Sequence, residues 1–469
     1  MMIKNKAKQL IILIVAALFF CSIFAHPTYA YEALSEVDAK AALVVVGDSD
    51  KLVYEKNINE KMAPASLTKM MTALLVFRAI DDGKLSLDTE LTASHSAIAD
   101  IPWDASRLDN PISEGEVMTV RNYLYAIMLR SDAFACNIVA EAVSGSIQAF
   151  IQEMNAEAER LGCTNTHFAD TSGYAGLSDN HYSCAWDLYL IARAAMEYDD
   201  FAEIVSQASY TIPATNKTLE RPITNSNWLL DMTYVNKRYG VGVYKDMIYS
   251  KCIGIKTGMT DEAGNCLAAA AEDGGLRVYT IILGAQDIKN ADDTNTRQSF
   301  AETIRMDEWA FANFVPVTAF KENIILGSMT LGEGKNAITV NVGADKTITS
   351  AVAKEYAESE IKYNLEQTVT EAVLEKGDEI GEVSAFVNDE LIGKTKLVCL
   401  DSSKALLETK AEENKFRMPP GAIAVIVIIV AAFITIKLYI AHVRRKKLAA
   451  RRARRKRMLE EQRKGSSRR

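Results

Sequence analysis

The spacing of apolar residues near the N-terminus predicts a β-hairpin followed by a buried helix. Two β-rich runs, Ala41–Val46 and Lys51–Glu55, flank the polar turn Gly47–Asp50. After Pro64, leucine and methionine residues recur at intervals of three and four. This spacing predicts a mostly buried helix that carries Ser66 in its first turn.

The middle of the chain, from about residue 70 to 200, has mostly helical periodicity. Its clearest amphipathic segments are Val120–Leu129, Ala133–Val143 and Ile147–Leu161. Strand-like runs and a closing helix follow, at Ile253–Lys256, Cys266–Ala271, Val278–Gly284 and Asn295–Phe314. Because strands lie on both sides of a helical middle, we expect an α+β domain whose sheet joins distant segments.

A change of composition after Phe314 indicates a second domain. From residue 315 to 402, short β-rich runs alternate with turns, which predicts a small all-β domain. Residues 403–418 are charged and poor in β-formers, and we expect a linker or helical stalk there.

Both ends of the chain indicate export and a membrane anchor. Residues 1–30 have three lysines, an apolar run and a small residue at a possible cleavage site, as in a secretory signal peptide. Residues 419–441 are apolar and long enough to span a bilayer. The tail 442–469 holds 14 Lys and Arg against two Glu, which predicts a cytoplasmic tail and an extracytoplasmic main part.

The charge distribution and the cysteine spacing indicate which partners and which cysteine chemistry to expect. Residues 31–440 contain 36 basic and 59 acidic residues, which argues against nucleic acid as a partner. The basic tail directly follows the apolar segment, so the cytoplasmic membrane with its anionic lipids is the expected contact. The cysteines have no metal-binding spacing and we expect mostly buried thiols, although Cys252 and Cys266 flank a predicted hairpin and can be considered as a pair.

A candidate nucleophile and its base lie in the first buried helix. Lys69 follows Ser66 by three residues, which places both on one helix face. A serine needs an adjacent base to act as a nucleophile, and burial makes a lysine amine easier to deprotonate. The alternative is an ordinary capped helix with a solvated lysine, because Ser-x-x-Lys also occurs by chance.

Two further motifs are weak alone but informative in combination. Lys256-Thr257-Gly258 follows a β-rich run and is expected at a strand end, with a cation, a hydroxyl group and space for a substrate backbone. Ser131 lies between two predicted helices, where a serine is usually only a cap. The order Ser-x-x-Lys, interhelical Ser, Lys-Thr-Gly is that of penicillin-binding proteins and class A β-lactamases.

With these motifs the chain resembles the D-alanyl-D-alanine carboxypeptidases, the low-molecular-mass penicillin-binding proteins. The resemblance extends from about Tyr31 to Leu400, and includes Ser172-Gly173, His181-Tyr182-Ser183 and Asn225-Ser226-Asn227. It implies a β-lactamase/transpeptidase-like domain over residues 31–314, an antiparallel sheet with helices, followed by the β domain and the membrane anchor.

The resemblance also implies a mechanism on a peptidoglycan stem peptide. Ser66 would be acylated by the penultimate D-Ala carbonyl with release of the terminal D-Ala, and Lys69 would be the base. Ser131 would relay a proton to the leaving amine, and Lys256 would hold the shared hydrogen-bond network. β-Lactam antibiotics would be covalent inhibitors that acylate Ser66.

Three more positions would bind the substrate. Thr257 would help to bind the terminal carboxylate, and Gly258 lets the substrate lie against the strand. The backbone N–H groups of Ser66 and Met259 would form the oxyanion hole. The reaction needs no metal and no organic cofactor.

The chain departs from the family pattern at two positions. The middle motif is Ser-x-Asn in the family, but Ala133 stands at its third position here. Asn137 lies one turn further, in a register that does not favour substitution for the missing amide. Some members carry an arginine for the substrate carboxylate inside the Asn-x-Asn-x-Leu-Leu stretch, where this chain has Ser226; Arg221 is close in sequence but unplaced.

Three functions remain open from the sequence. The favoured one is an active carboxypeptidase with an altered middle motif. The second is a catalytically weak or inactive homologue that binds the cell wall or acts as a scaffold. The third, a secreted β-lactamase, leaves the β domain and the anchor without a purpose, and Glu220 is the nearest candidate for its deacylating glutamate.

Overall fold

The computed structural model describes residues 33–174, 180–334, 337–370, 373–403 and 420–465. One compact unit comprises the described residues up to Leu326 together with Gly343–Thr368 and Gly381–Leu397. Gly327–Val342, Val369–Ile380 and the described residues from Val398 onwards form the other.

The first unit is built on a five-stranded antiparallel sheet that joins both ends of the predicted α+β domain. Its strands are β1 (Ala41–Val46), β2 (Lys51–Lys56), β7 (Cys252–Thr260), β8 (Gly264–Asp273) and β9 (Leu276–Ala285). Their order in the sheet is β2-β1-β9-β8-β7, so that β1 pairs with β9 along its whole length. The predicted assembly of the sheet from distant segments is confirmed.

Helices cover the two faces of this sheet. The helices of this unit are α1 (Lys69–Asp81), α2 (His95–Ala99), α3 (Val120–Arg130), α4 (Ala133–Ser144), α5 (Ile147–Arg160), α6 (Ala185–Met196), α7 (Asp199–Ser206), α8 (Thr233–Tyr239) and α9 (Gln298–Asn313). Strand β1 is buried on both sides: Leu43 belongs to the core with α1 and α3–α6, whereas Val44 packs in the core with α9. This explains why β1 is continuously apolar rather than alternating.

Three short two-stranded sheets complete the helical part. They are β3 (Glu90–Thr92) with β4 (Val117–Thr119), β5 (Ser209–Ile212) with β6 (Arg221–Thr224), and β10 (Asp287–Lys289) with β11 (Asn295–Arg297). The first of them lies inside the stretch predicted to be mostly helical.

The C-terminal part contains strands and then one long helix. The strands are β12 (Phe314–Phe320), β13 (Gly327–Leu331), β14 (Ile338–Ala344), β15 (Ile348–Ala353), β16 (Lys362–Gln367), β17 (Glu379–Val387) and β18 (Glu390–Cys399). Strand β12 pairs with β15, β13 with β14 and β16 with β17, all antiparallel. Helix α10 (Pro420–Gly465) begins with a segment long and apolar enough to cross a membrane.

Several local predictions need correction. Ser66 lies in a 3-10 turn, Ala65–Thr68, and the α-helix begins only at Lys69. Helix α9 is shorter than predicted, because Asn295–Arg297 forms β11 and Phe314 begins β12. Cys252 and Cys266 are both free and buried, and they lie opposite Ala271 and Gly258 rather than each other, so the considered pairing is wrong.

Other predictions are not tested. The predicted signal peptide, residues 1–30, and the linker 403–418 apart from Ser403 lie outside the described residues. The proposed boundaries between the domains stay predictions.

Candidate active site

Ser66 is held in a tight turn at the start of α1. The 3-10 turn Ala65–Thr68 begins with Ala65 at φ 47°, and the Leu67 N–H donates to the Pro64 carbonyl at 3.2 Å. The turn leads directly into α1, whose residues Met70, Met71 and Leu74 are fully buried. The nucleophile candidate therefore stands on a rigid, deeply packed element.

Lys69 lies beside Ser66 as its three-residue spacing predicts. Its Nζ is 3.0 Å from Ser66 Oγ and donates a second hydrogen bond to the Ser172 carbonyl at 2.6 Å. The side chain is buried, and burial lowers the pKa of Lys69, although Asp170 and Asp132 act in the opposite direction. The lowered pKa favours the neutral amine, which can accept the serine proton.

A turn at Asp170–Gly173 supplies the acceptor for Lys69. One carboxylate oxygen of Asp170 accepts from the N–H groups of Ser172 at 2.6 Å and Gly173 at 2.5 Å. Gly173 has φ +75°, and a Cβ added to it would lie 1.8 Å from the Ala65 carbonyl oxygen. This turn and the Ser66 turn can therefore pack together only with glycine at this position.

His181 supports the same region through both ring nitrogens. The Ala169 N–H donates to its Nδ1 at 3.1 Å, and Asp170 Oδ2 lies 3.3 Å from the same nitrogen. The other ring nitrogen, Nε2, lies 2.8 Å from Thr68 Oγ1. Burial is the main cause that lowers the pKa of His181. The ring thereby ties the turn of the nucleophile to the segment that holds Asp170.

Ser131 lies between α3 and α4, as predicted. It ends α3 in the left-handed conformation, with φ 60°, and its buried Oγ has no hydrogen-bond partner among the described residues. The neighbouring Asp132 is the N-cap of α4 and accepts from the N–H groups of Ala135 and Leu108, each at 2.8 Å. The end of α3 and the N-cap of α4 therefore fix the backbone on either side of Ser131, while its hydroxyl group remains available to a substrate.

Ala133 leaves the middle motif without its amide. Its side chain is buried in the first turn of α4 and lines a cavity of about 380 Å³ that also reaches Ser66 and Lys69. Asn137 does not replace the missing group, because its amide donates to the Ala97 carbonyl at 3.1 Å and accepts from Thr171 at 2.6 Å.

Strand β7 (Cys252–Thr260) carries the Lys-Thr-Gly motif. The motif lies inside β7 and not at its end, because pairing with β8 continues through Lys256, Thr257 and Gly258 to Thr260. Lys256 is buried and its Nζ donates to the Thr257 carbonyl at 3.0 Å. Burial, and then the charge of Lys69, hold the pKa of Lys256 well below its usual value.

The two smaller residues of the motif, Thr257 and Gly258, line the same cavity as Ser66. A Cβ on Gly258 would lie 3.2 Å from the backbone nitrogen of Ser66, so glycine permits close approach of β7 to the Ser66 turn. Thr257 Oγ1 is 2.8 Å from Ser226 Oγ. Met259 follows on the same strand and is 52% exposed.

A cavity of about 670 Å³ connects these groups. Ser66, Ser131, Thr257, Gly258 and Met259 all line it, whereas Lys69 lines the neighbouring 380 Å³ cavity together with Ser66 and Met259. Lys256 is buried and lines neither cavity. Six of the seven predicted site residues therefore line two adjoining cavities. In the described ranges no group of three or more His, Cys, Asp or Glu side chains is arranged to hold a metal ion.

The sequence did not identify the groups that orient Lys69. The Ser172 carbonyl is a backbone group without a side-chain signature, and Asp170 acts through the backbone N–H groups of Ser172, Gly173 and Tyr174. The sequence contained one indication of this segment: Ser172-Gly173 is among the family-like passages, but no function was assigned to it.

Arg221 and Glu220 are not part of this cleft. Arg221 is buried and pairs with Glu116 at 2.5 Å. Glu220 is exposed and lines neither of the two cavities.

Comparisons with known proteins agree with this geometry. The family model "D-alanyl-D-alanine carboxypeptidase" matches residues 27–287, and "Penicillin-binding protein 5, C-terminal domain" matches residues 314–405. The D-alanyl-D-alanine carboxypeptidase DacF of Bacillus subtilis is 27% identical over 389 residues, which cover 81% of this chain and 91% of that protein.

A second relative and a solved structure extend the comparison. The D-alanyl-D-alanine carboxypeptidase of Streptomyces sp. strain K15 is 31% identical over 259 residues, covering 52% of this chain and 80% of the relative. Penicillin-binding protein 5 of Haemophilus influenzae has a similar fold, with a TM-score of 0.62 and 23% identity over 79% of this chain and 99% of that structure. The chain belongs to the D-alanyl-D-alanine carboxypeptidase family of serine hydrolases.

Proposed function

We propose that this protein is an active D-Ala-D-Ala carboxypeptidase that removes the terminal D-Ala from peptidoglycan stem pentapeptides. The observation that carries the proposal is the 3.0 Å contact between Ser66 Oγ and the buried amine of Lys69. A hydroxyl group beside an amine of lowered pKa is the arrangement that an acyl-transfer nucleophile requires.

In the acylation step, Lys69 Nζ accepts the proton of Ser66 as Oγ bonds to the penultimate D-Ala carbonyl carbon. The bond from that carbon to the terminal D-Ala nitrogen then breaks, and Ser131 relays a proton to the leaving amine. Lys256 keeps the hydrogen-bond network in place. Water finally hydrolyses the ester on Ser66 and frees the shortened peptide.

The negative charge that develops on the carbonyl oxygen is stabilised by backbone N–H groups of Ser66 and Met259. The close approach of Gly258 to the Ser66 nitrogen supports this pair of donors. Thr257 donates its hydroxyl proton to the terminal carboxylate.

A penicillin-binding homologue of low or no activity is the second candidate. The observation that favours it is the alanine at position 133, which leaves the cavity wall without an amide. Such a protein would still bind the cell wall through the same cleft. The two candidates predict different results for release of D-Ala.

The test uses the full-length protein in mild detergent. After incubation with penicillin, mass spectrometry should find the adduct on the Ser66 peptide, and Ser66→Ala should lose it. An assay of free D-Ala from a stem pentapeptide should give turnover that depends on the same residue. An unmodified Ser66 peptide at saturating penicillin would refute the mechanism, whereas an adduct without D-Ala release would favour the second candidate.

We also propose that α10 anchors the protein in the cytoplasmic membrane with the basic tail inside. The apolar first part of the helix and the following lysines and arginines support this orientation. Removal of residues 419–469 should release the protein from membranes. If the truncated protein sediments with membranes as firmly as the whole chain does, the anchor lies elsewhere.

A further inference from the structure

The 670 Å³ and 380 Å³ cavities meet at Ser66, which lines both. Thr257, proposed to bind the terminal carboxylate, lines the larger cavity but not the smaller one. The part of the peptide that becomes attached to Ser66 lies on the other side of the scissile bond, so we expect it in the 380 Å³ cavity. Its backbone carbonyl and N–H groups leave water there and need partners in the protein. Ala133 lines this cavity, but its side chain cannot form a hydrogen bond.

The loop between α2 and β4 brings a hydroxyl group to the wall formed by Ala133. The Ala133 N–H donates to the carbonyl of Ser106 at 2.9 Å, so this loop contacts the first turn of α4 directly. Ser106 is exposed and lines both cavities. Its hydroxyl group has no hydrogen-bond partner among the described residues and is therefore available to a substrate.

Neighbouring residues hold this loop in place. The buried carboxylate of Asp132, which caps α4, accepts from the Leu108 N–H at 2.8 Å. Arg107 donates from Nη2 to the Pro102 carbonyl at 2.8 Å and closes the loop on the other side. Because Asp132 belongs to the middle motif, Ser106 has a defined position beside that motif.

Other polar groups that line the 380 Å³ cavity are less suitable as donors to a substrate carbonyl. Two hydroxyl groups already donate within the protein: Ser172 to Asp170 at 3.1 Å and Tyr174 to Asp104 at 2.7 Å. Thr260 belongs to strand β7 rather than to the wall of Ala133, and its oxygen already accepts from a backbone N–H at 3.0 Å. The carboxylates of Asp261 and Glu262 can only accept. Among the described residues of this cavity, the hydroxyl donor beside Ala133 is therefore Ser106.

We propose that the Ser106 hydroxyl donates a hydrogen bond to the backbone carbonyl of the residue that precedes the penultimate D-Ala. The inference rests on the proposed carboxypeptidase function and assigns a substrate-binding residue within it. A hydroxyl group has one proton to donate, whereas an asparagine amide has two. Ser106 therefore supplies part of what an amide at position 133 would supply, and Ala133→Asn still adds to turnover.

The experiment compares two β-lactams that differ in one amide group. Benzylpenicillin carries an acylamino group beside its reactive ring carbonyl, and this amide corresponds to the peptide bond before the penultimate D-Ala. The second compound, 6-aminopenicillanic acid, has a free amine at the same position. For the full-length protein in mild detergent, mass spectrometry of the intact protein gives both acylation rates. Ser106→Ala should slow acylation by benzylpenicillin about fivefold to tenfold, as expected for one hydrogen bond, and acylation by 6-aminopenicillanic acid less than about twofold.

Matched variants separate substrate binding from structure. Ser113→Ala removes an exposed serine of the same loop that lines neither cavity, and it should leave both rates unchanged. Ser106→Thr keeps a hydroxyl group and should retain part of the benzylpenicillin rate that the alanine variant loses. In the Ala133→Asn background, Ser106→Ala should slow benzylpenicillin less than about twofold, because the new amide can donate to the same carbonyl.

The outcomes distinguish this inference from the proposed function. If Ser106→Ala slows both β-lactams by the same factor, slows neither, or costs as much in the Ala133→Asn background as in the wild type, Ser106 does not bind this carbonyl in place of the missing amide. If the β-lactams give the expected pattern but the wild type releases no D-Ala from a stem pentapeptide, Ser106 binds the amide and the carboxypeptidase proposal is refuted. If neither β-lactam acylates the wild type, both proposals are refuted.

Discussion

Replacing Asp307 by asparagine should stabilise the protein, and by more as the pH rises. Asp307 lies in α9, is 1% exposed, and accepts one hydrogen bond from Thr280 at 2.6 Å, while its second carboxylate oxygen has no partner among the described residues. Burial raises the pKa of Asp307 from 3.8 to about 8. The folded protein therefore keeps a proton on this group that the unfolded chain loses.

The difference between the folded and unfolded pKa values of Asp307 determines how stability changes with pH. Below the unfolded pKa of 3.8 the carboxyl group is neutral in both states, and ionisation costs the folded state nothing. As the pH rises towards about 8, wild-type stability falls by up to about 1.4 kcal/mol per pH unit. Asparagine does not ionise, so the advantage of Asp307→Asn should grow by about 2–3 kcal/mol between about pH 5 and pH 7.

Urea unfolding of the whole protein in mild detergent, followed by tryptophan fluorescence at several pH values, measures this advantage. Glu308→Gln is a matched control on the same helix. Its carboxylate accepts from Lys251 at 2.7 Å, a contact that lowers the pKa of Glu308, so this change should destabilise the protein at neutral pH. An advantage of Asp307→Asn that does not change with pH would refute the reasoning.

Three further predictions concern the cleft. Gly173→Ala should slow labelling by a fluorescent penicillin about a hundredfold or more, because its Cβ would overlap the Ser66 turn. Gly145→Ala, at a similar φ of +77° but with open space around it, should label at the wild-type rate. Equal labelling rates for the two variants would contradict this prediction. Ala133→Asn should raise D-Ala release by about tenfold by restoring one buried hydrogen bond, and unchanged turnover would mean that this role is already filled. Because burial lowers the pKa of Lys69, the acylation rate should rise with pH through an inflection below 10.5, and a flat profile would exclude Lys69 as the base.

The placement of the proposed catalytic side chains could be predicted from the sequence because their spacing has direct geometric meaning. Ser66 and Lys69 meet because three residues make almost one helical turn. Ser131 was predicted between two helices and lies there. The order of the three motifs then indicated that distant segments share one cleft.

The remaining parts depend on tertiary contacts that no local pattern records. Gly258 was interpreted as a strand end, but it serves close approach to Ser66 while the β7 ladder continues. The role of the Ser172 carbonyl could not be predicted, because every residue has a backbone carbonyl and the residue type does not reveal which one accepts from Lys69. Arg130 follows a helical pattern, and only the fold brings it to the cavity that Ser226 and Thr257 also line.

The order of strands in the central sheet has a consequence for biosynthesis. The first strand, β1, can pair with β9 only when β9 has been made. Strand β7, which carries Lys256, is joined to β1 through β8 and β9. A chain that emerges from its N-terminus therefore exposes Ser66 long before Lys256 can join it. The sheet that carries Lys256 is complete only when its last strand has been made, and we expect a product truncated before Leu276 to show no acylation of Ser66.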